Sequence, residues 1–114
     1  MSDCLFCRLA AREIPTEIVF ESDNIFAFKD IDPKAPYHVL VIPKKHIPTL
    51  NDIGEEEKKI MGELLLAAKQ IAAHLGIDET GYRTIINCNA DGGQEVFHLH
   101  LHLLGGRKMA WPPG

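Results

Sequence analysis

The stretch Phe97-His98-Leu99-His100-Leu101-His102-Leu103-Leu104 decides how the rest of the chain is read. Apolar and imidazole side chains alternate from Phe97 to Leu103, and successive side chains of a strand point to opposite faces. A strand over 97–104 therefore turns Phe97, Leu99, Leu101 and Leu103 inward and lines up His98, His100 and His102 on the other face. Solvated sheet faces ordinarily carry Thr, Lys, Glu or Ser. Imidazoles in register stabilise nothing there, so they point to chemistry. Two chemistries use such a row. One is metal chelation, but at ~3.4 Å per residue His98 and His102 stand roughly 14 Å apart along the backbone, too far to share an ion with bonds near ~2.0–2.1 Å. The other is nucleophilic catalysis on phosphorus: neutral imidazole attacks near neutral pH, and a phosphorylated imidazole yields to water. Gly92-Gly93 just upstream lets backbone amides approach an anion, and Gln94 adds donors. The expectation is phosphate chemistry.

Working outward, Asp3 is placed to cap a short helix over 5–11, which must end before Ile14-Pro15. Ile18 to Glu21 and Ile25 to Phe28 read as strands joined by the turn residues Ser22-Asp23-Asn24. Pro33 and Pro36 mark a loop. Tyr37 to Ile42 is a third strand, apolar on both faces as a central strand would be. A long helix is expected over 53–75: Asp52 and Glu55 resemble a capping box, and Glu55-Glu56-Glu57 suit the positive end of the dipole. Ile60, Leu64, Ala68, Ile71 and Leu75 recur at helical spacing before the stop at Gly76. Tyr82 to Cys88 is a fourth strand, Asn89 to Gly93 a turn, 97–104 the fifth strand and 105–114 a tail. The order implies an α+β single domain over 1–114, an antiparallel five-stranded sheet with one long and one short helix.

Composition agrees. With 114 residues, 46% hydrophobic and 25% charged, the chain can bury one core and is not a disordered sequence. A net charge of −4 argues against a nucleic-acid binder, which would carry a basic face. No apolar run approaches the ~18 residues of a membrane span. The start of the chain has no basic region leading into an apolar one, and 3 Cys is an odd number for a disulfide framework, so a reducing cytoplasm is expected.

The histidine row resembles the His-φ-His-φ-His-φ-φ signature of the histidine triad (HIT) superfamily. The similarity extends through Asp30-Ile31, Pro33, Ala35-Pro36, His38, Val41 to His46, Asp91 to Gln94, Gly105-Gly106-Arg107 and Trp111 to Gly114, and the ending resembles the Hint-like branch. The resemblance implies a homodimeric purine nucleoside phosphoramidase that splits P–N and acyl-phosphate bonds of AMP or GMP derivatives. It implies His100 as the nucleophile that forms a nucleotidyl-histidine. It also implies His102 at the phosphate, aiding proton delivery, and His98 and His38 as members of the histidine cluster. For nucleotide binding it implies Asp30 on the ribose, an apolar clamp of Leu5, Phe6, Leu9, Phe28 and Ile31, and phosphate-loop contacts from Asn87, Gly93, Gln94, Glu95 and Val96. Glu95 departs from the Ser of the eukaryotic pattern, and a carboxylate pointing inward would repel phosphate. Trp111, in the tail, would reach the partner's site or pack at the interface.

Cys4-x-x-Cys7 could simply face the core of the first helix. Bacterial HIT proteins that begin this way imply a structural zinc held by Cys4, Cys7, His46 and His98. Such a closed site would leave no open position and no organic cofactor would be needed. The competing activities are a dinucleoside polyphosphate hydrolase, a non-catalytic nucleotide-binding scaffold and a catalytic metalloenzyme built on the His row.

Overall fold

The computed structural model describes residues 3–114. Residues 1 and 2 of the expected domain lie outside the described residues. Helix α1 (Leu5–Ala10) leads into strands β1 (Ile18–Glu21), β2 (Ile25–Lys29) and β3 (Tyr37–Pro43); helix α2 (Lys58–Leu75) connects to β4 (Tyr82–Ile86), and β5 (Leu101–Gly105) follows. All neighbours in the sheet are antiparallel, in the order β1-β2-β3-β5-β4. The α+β expectation holds.

Alternation along the central strands sorts side chains onto two faces. Ile25, Ala27, Val39, Val41, Leu101 and Leu103 pack against Leu64, Ala68 and Ile71 of α2. Phe26, Phe28, Leu40 and Ile42 take the opposite face, beneath Phe6 and Leu9 of α1. Among the described residues α1 is the one helix on that second face, with Ile14 and Val96 beside it, so part of the face stays open. His38 and His102 lie on this open side, because Leu40 pairs directly with His102, and His38 with Leu104, in the β3·β5 ladder.

Several boundaries differ from the sequence reading. The fifth strand starts at Leu101 rather than Phe97. Its partner β3 ends at Pro43, which has no N–H for the ladder, and the chain turns away after it. Leu99 instead donates its amide to the Ile47 carbonyl at 2.7 Å. Phe97, outside the ladder, is half-exposed rather than inward, while Leu99, Leu101 and Leu103 are buried. The N-cap of α1 is Cys4, whose sulfur accepts from the Cys7 amide, so Asp3 does not cap it.

Helix α2 begins at Lys58, five residues later than expected, because two 3₁₀ turns, Leu50–Asp52 and Glu55–Glu57, precede it. The capping box belongs to the first of these. The Thr49 hydroxyl accepts from the Asn51 amide, and Asp52 Oδ2 accepts from the Thr49 amide. In the second turn Glu57, buried, accepts from the Gly54 amide at 2.7 Å and from Lys45 Nζ at 2.8 Å. Gly76 closes α2 in the left-handed conformation, as expected. Strand β4 stops at Ile86, and the expected turn at 89–93 is a single helical turn, Asn89–Gly92, closed by Gly93 at φ +82°.

Candidate active site and metal-ligand cluster

The segment before β5, bent at 96–98, and the strand itself divide the histidine row between two places. His98 is fully buried, and its Nε2 donates to the Pro43 carbonyl at 2.7 Å. A ring that donates from Nε2 and is otherwise neutral keeps a bare lone pair on Nδ1. That Nδ1 faces Cys4 Sγ at 3.3 Å, Cys7 Sγ at 3.5 Å and His46 Nδ1 at 3.3 Å, while Cys7 Sγ and His46 Nδ1 are 3.4 Å apart. One lone pair cannot satisfy all those neighbours through hydrogen bonds. The spacing fits a shared cation instead: bonds of ~2.0–2.1 Å to nitrogen and ~2.3 Å to sulfur set tetrahedral edges of roughly 3.3–3.6 Å. All four ligand atoms lie within 4.8 Å of one another. The donor set Cys4, Cys7, His46 and His98 therefore fits zinc, with the Pro43 carbonyl as the outer partner that fixes the tautomer of His98.

A second group, Asp30, His38 and His102, also meets the 4.8 Å limit, but its geometry is that of hydrogen bonds. His38 Nε2 and His102 Nδ1 are 2.9 Å apart, tighter than a tetrahedral edge. The Lys34 amide donates to His38 Nδ1 at 3.0 Å, so the ring proton of neutral His38 sits on Nε2. His38 is neutral because burial holds its pKa below the usual histidine value, against the pull of Asp30. Its Nε2–H goes to His102 at 2.9 Å rather than to Asp30 Oδ2 at 3.5 Å. His102 accepts at Nδ1 and carries its own proton on Nε2. Burial first, then the proximity of the His100 and His38 rings, which disfavours a further positive charge, push its pKa down to about 4.

His100 lies between the two groups. Its Nδ1–H donates to the His98 carbonyl at 2.8 Å, which leaves the Nε2 lone pair bare. Phe6 meets the ring edge-on at 5.1 Å and His102 stands 5.0 Å away. Each ring of the row thus has its tautomer set by a backbone group, directly or through His38.

His100 and His102 open onto a cleft of about 700 Å³ on the open side of the sheet. That volume lies within the usual range for small-molecule sites. One wall is apolar, from Leu5, Phe6, Leu9, Phe28 and Val96; Asp30, Asn87 and Glu95 supply the polar rim together with the backbone at Gly93, with Ile31 almost fully exposed at its edge. Asp30 Oδ1 accepts from the Asp32 amide at 2.8 Å, and its Oδ2 stands 3.5 Å from His38 Nε2.

One expected phosphate contact falls elsewhere. Gln94 is buried: its Oε1 accepts from the Asn89 amide, and its Nε2 donates to the Pro48 and Val96 carbonyls. With its backbone N–H also taken by Asn89, it ties the loop together and offers no donor to a phosphate. Trp111, expected at the partner's site or the interface, is 82% exposed in the single chain; the Arg83 guanidinium stands 6.0 Å from its ring centroid, and Arg83 also donates to the Ala110 carbonyl. His98, expected in the catalytic row, contributes its carbonyl there and its ring to the sulfur cluster.

The sequence reading missed Ile14, Pro15, Lys29, Asp32, Lys34, Leu40, Ile85 and Leu104 in the lining. The apolar ones carry no signal that separates a cleft wall from a core. Lys34 was findable, since it lies in the Asp32-to-Pro36 loop next to His38. It pairs with Asp32, which chiefly raises its pKa; Glu95 contributes in the same direction from across the rim.

The HIT domain family model matches residues 11–109 of this chain. A purine nucleoside phosphoramidase from Escherichia coli is 48% identical over 94% of this chain and 90% of its own length. An uncharacterised HIT-like protein from Synechococcus elongatus is 53% identical over 98% and 97%. Among solved structures, a HIT family hydrolase from Legionella pneumophila superimposes with a TM-score of 0.96 at 54% identity, covering 98% of this chain and 100% of that one. A histidine triad protein from Clostridium difficile gives 0.93 at 48%, covering 96% of each chain.

Proposed function

From the premise that the chain belongs to the HIT domain family, we propose that it is a purine nucleoside phosphoramidase working through a nucleotidyl-histidine at His100. The observation that carries this reading is the Nδ1–H of His100 held on the His98 carbonyl at 2.8 Å. It fixes the ring in direction and leaves Nε2 as the atom turned toward the cleft. The 48% identity to the Escherichia coli purine nucleoside phosphoramidase supports the choice of substrate class.

In the proposed cycle the purine lies against Phe6, Leu9 and Phe28, with Leu5 and Ile31 at the rim, and Asp30 Oδ2 accepts from a ribose hydroxyl. The phosphoryl group sits between His100 and the backbone at Gly93, with Asn87 and Val96 alongside. His100 Nε2 attacks phosphorus, an N–P bond forms, and the bond to the leaving nitrogen breaks. That nitrogen departs as an amine, taking the proton it needs from solvent at the open cleft. Water then attacks the nucleotidyl-histidine, the N–P bond breaks, the nucleoside monophosphate leaves with the water oxygen, and a proton returns to solvent. His102 Nε2–H donates to a phosphoryl oxygen throughout. Its pKa of about 4 keeps it neutral at pH 7, so it acts as a fixed hydrogen-bond donor to developing negative charge rather than as a proton store.

Zinc at Cys4, Cys7, His46 and His98 would supply structural cross-linking of α1 to the loop before β5. No chemical step passes through it. Ligation requires reduced Cys4 and Cys7, which suits a cytoplasmic setting. A homodimer completes the reading: β4 is an edge strand, and Leu65 and Leu66 of α2 are more than half exposed. In a dimer the tail carrying Trp111 would reach the partner's cleft. Sedimentation should give twice the chain mass, and a monomer at micromolar concentration would remove this part.

The activity is tested by comparing turnover of adenosine 5′-phosphoramidate and diadenosine tetraphosphate. The phosphoramidate is expected to be the better substrate. His100→Ala should abolish turnover and retain AMP binding; binding without turnover in the unaltered protein would make it a scaffold instead.

A further inference from the structure

We propose that Arg107, in the segment after β5, is a positioning residue that sets which ring nitrogen of His102 carries the proton. Arg107 acts through Lys34 and His38, and the catalytic use of that proton rests on the reading above. The Arg107 guanidinium donates to the Lys34 carbonyl from Nε at 3.2 Å and from Nη2 at 3.0 Å. A planar fork on one carbonyl fixes both the position and the orientation of the residue it holds. The same Lys34 presents its amide to His38 Nδ1 at 3.0 Å, and His38 Nε2 meets His102 Nδ1 at 2.9 Å. The chain of donors thus runs one way, from the guanidinium-held loop through His38 and His102 into the cleft.

The backbone is shaped to deliver this clamp. Gly106 has φ +89°, and a Cβ there would stand 2.8 Å from Pro36 Cβ and 3.0 Å from Tyr37 Cδ2. A Cβ on Gly105 would come within 2.5 Å of Ile77 Cδ1. The chain therefore squeezes between Ile77 and the Pro36-Tyr37 corner, which brings residue 107 against the loop at Lys34. Lys34 Nζ and the Asp30 carboxylate order the same loop through Asp32, but neither touches the Lys34 carbonyl or amide.

The direction of the chain matters because the opposite arrangement has the same number of ring protons. If the Lys34 amide withdraws, His38 can hold its proton on Nδ1 and accept at Nε2 from His102 Nδ1–H. His102 then turns a bare lone pair toward the phosphoryl oxygens, replacing attraction with repulsion. The Lys34 amide is the group that breaks this symmetry, and Arg107 holds it in place.

The test is to record histidine ring ¹⁵N–¹H correlation spectra of the full chain at neutral pH for the unaltered protein and for Arg107→Ala, Arg107→Lys and Lys34→Ala. Arg107 is exposed, so its variants should fold, and amide spectra check this. In the unaltered protein His38 and His102 should each be protonated at Nε2 alone. Arg107→Ala should lose that single form and give a mixture of tautomers at both rings. Arg107→Lys, able to give one hydrogen bond to the carbonyl, should recover part of it, and Lys34→Ala, which keeps the amide, should leave both tautomers unchanged. Ring spectra of Arg107→Ala identical to the unaltered protein would overturn the proposal, as would Nδ1 protonation of His102 in the unaltered protein. Kinetics report separately on the catalytic reading. A shift in tautomer should lower kcat for adenosine phosphoramidate roughly three- to tenfold, the scale of losing one such anchoring contact, with KM little changed. A tautomer shift with unaltered kcat would support the clamp and count against His102 as a phosphate donor.

Discussion

Loading and then removing zinc tests the proposed Cys4, Cys7, His46 and His98 site through its effect on stability. Four of the six edges among the ligand atoms already measure 3.3–3.5 Å, the other two lie within 4.8 Å, and His98 is held by Pro43, so little reorganisation opposes binding. A ligand that binds only the folded state stabilises it by RT ln(1 + [L]/Kd), about 4 kcal/mol at a thousandfold excess over Kd. For a domain near this size, about 1 kcal/mol moves Tm by roughly 4 °C, so chelation should lower Tm by about 15 °C. The assay is scanning calorimetry on protein dialysed against a chelator and then resupplied with zinc, with metal content measured on the same samples. Cys7→Ser, which removes one thiolate, should abolish most of the difference between the two samples while leaving the metal-depleted Tm nearly unchanged. Catalysis by the depleted protein should persist below its own Tm, because His100 is no ligand. A protein that takes up one zinc per chain yet melts within ~1 °C of the depleted sample would refute the reasoning, and so would failure to take up zinc at all.

Two further consequences follow from the same geometry. His102 has a folded pKa of about 4 against 6.5 when unfolded, so the unfolded state binds the extra proton first, and stability present above pH 6.5 is lost as pH falls toward 4. With allowance for screening at a partly buried ring this amounts to about 2 kcal/mol, and His38 acts in the same direction; urea titrations at the two ends of that range should show His102→Asn losing less stability than the unaltered protein. Gly106→Ala places a side chain at φ +89° and within 2.8 Å of Pro36 Cβ, which should destabilise by about 2–3 kcal/mol in a denaturant titration at constant m-value.

The faces of the sheet were legible in the sequence because alternation is local. Leu99, Leu101 and Leu103 turned inward as their spacing required, and the α2 stripe from Leu64 to Ile71 followed the helical period. Boundaries set by a distant partner were not. Nothing near Phe97 says that the neighbouring strand stops at Pro43, and that stop frees His98 from the row and lets it turn toward Cys4 and Cys7. The cysteines were visible as a pair; their meeting with His46 and His98, which the family resemblance implied and the residue pattern alone did not, rests on contacts spanning most of the chain. Gln94 looked like an anion ligand because its donors are the right kind; the Pro48 carbonyl, 46 positions away, takes one of them. Arg107 shows the limit most clearly. Its role is carried by the backbone of Lys34, and no pattern of side chains records where a carbonyl points.

The most direct test is to mix the enzyme with a purine nucleoside 5′-phosphoramidate, quench with alkali during the first turnover and map the labelled peptide by mass spectrometry. The account predicts one nucleotidyl group on the peptide containing residue 100, attached through a ring nitrogen, and none in His100→Ala. Rapid turnover with no labelled histidine, or a label carried by His98 or His102, would contradict it.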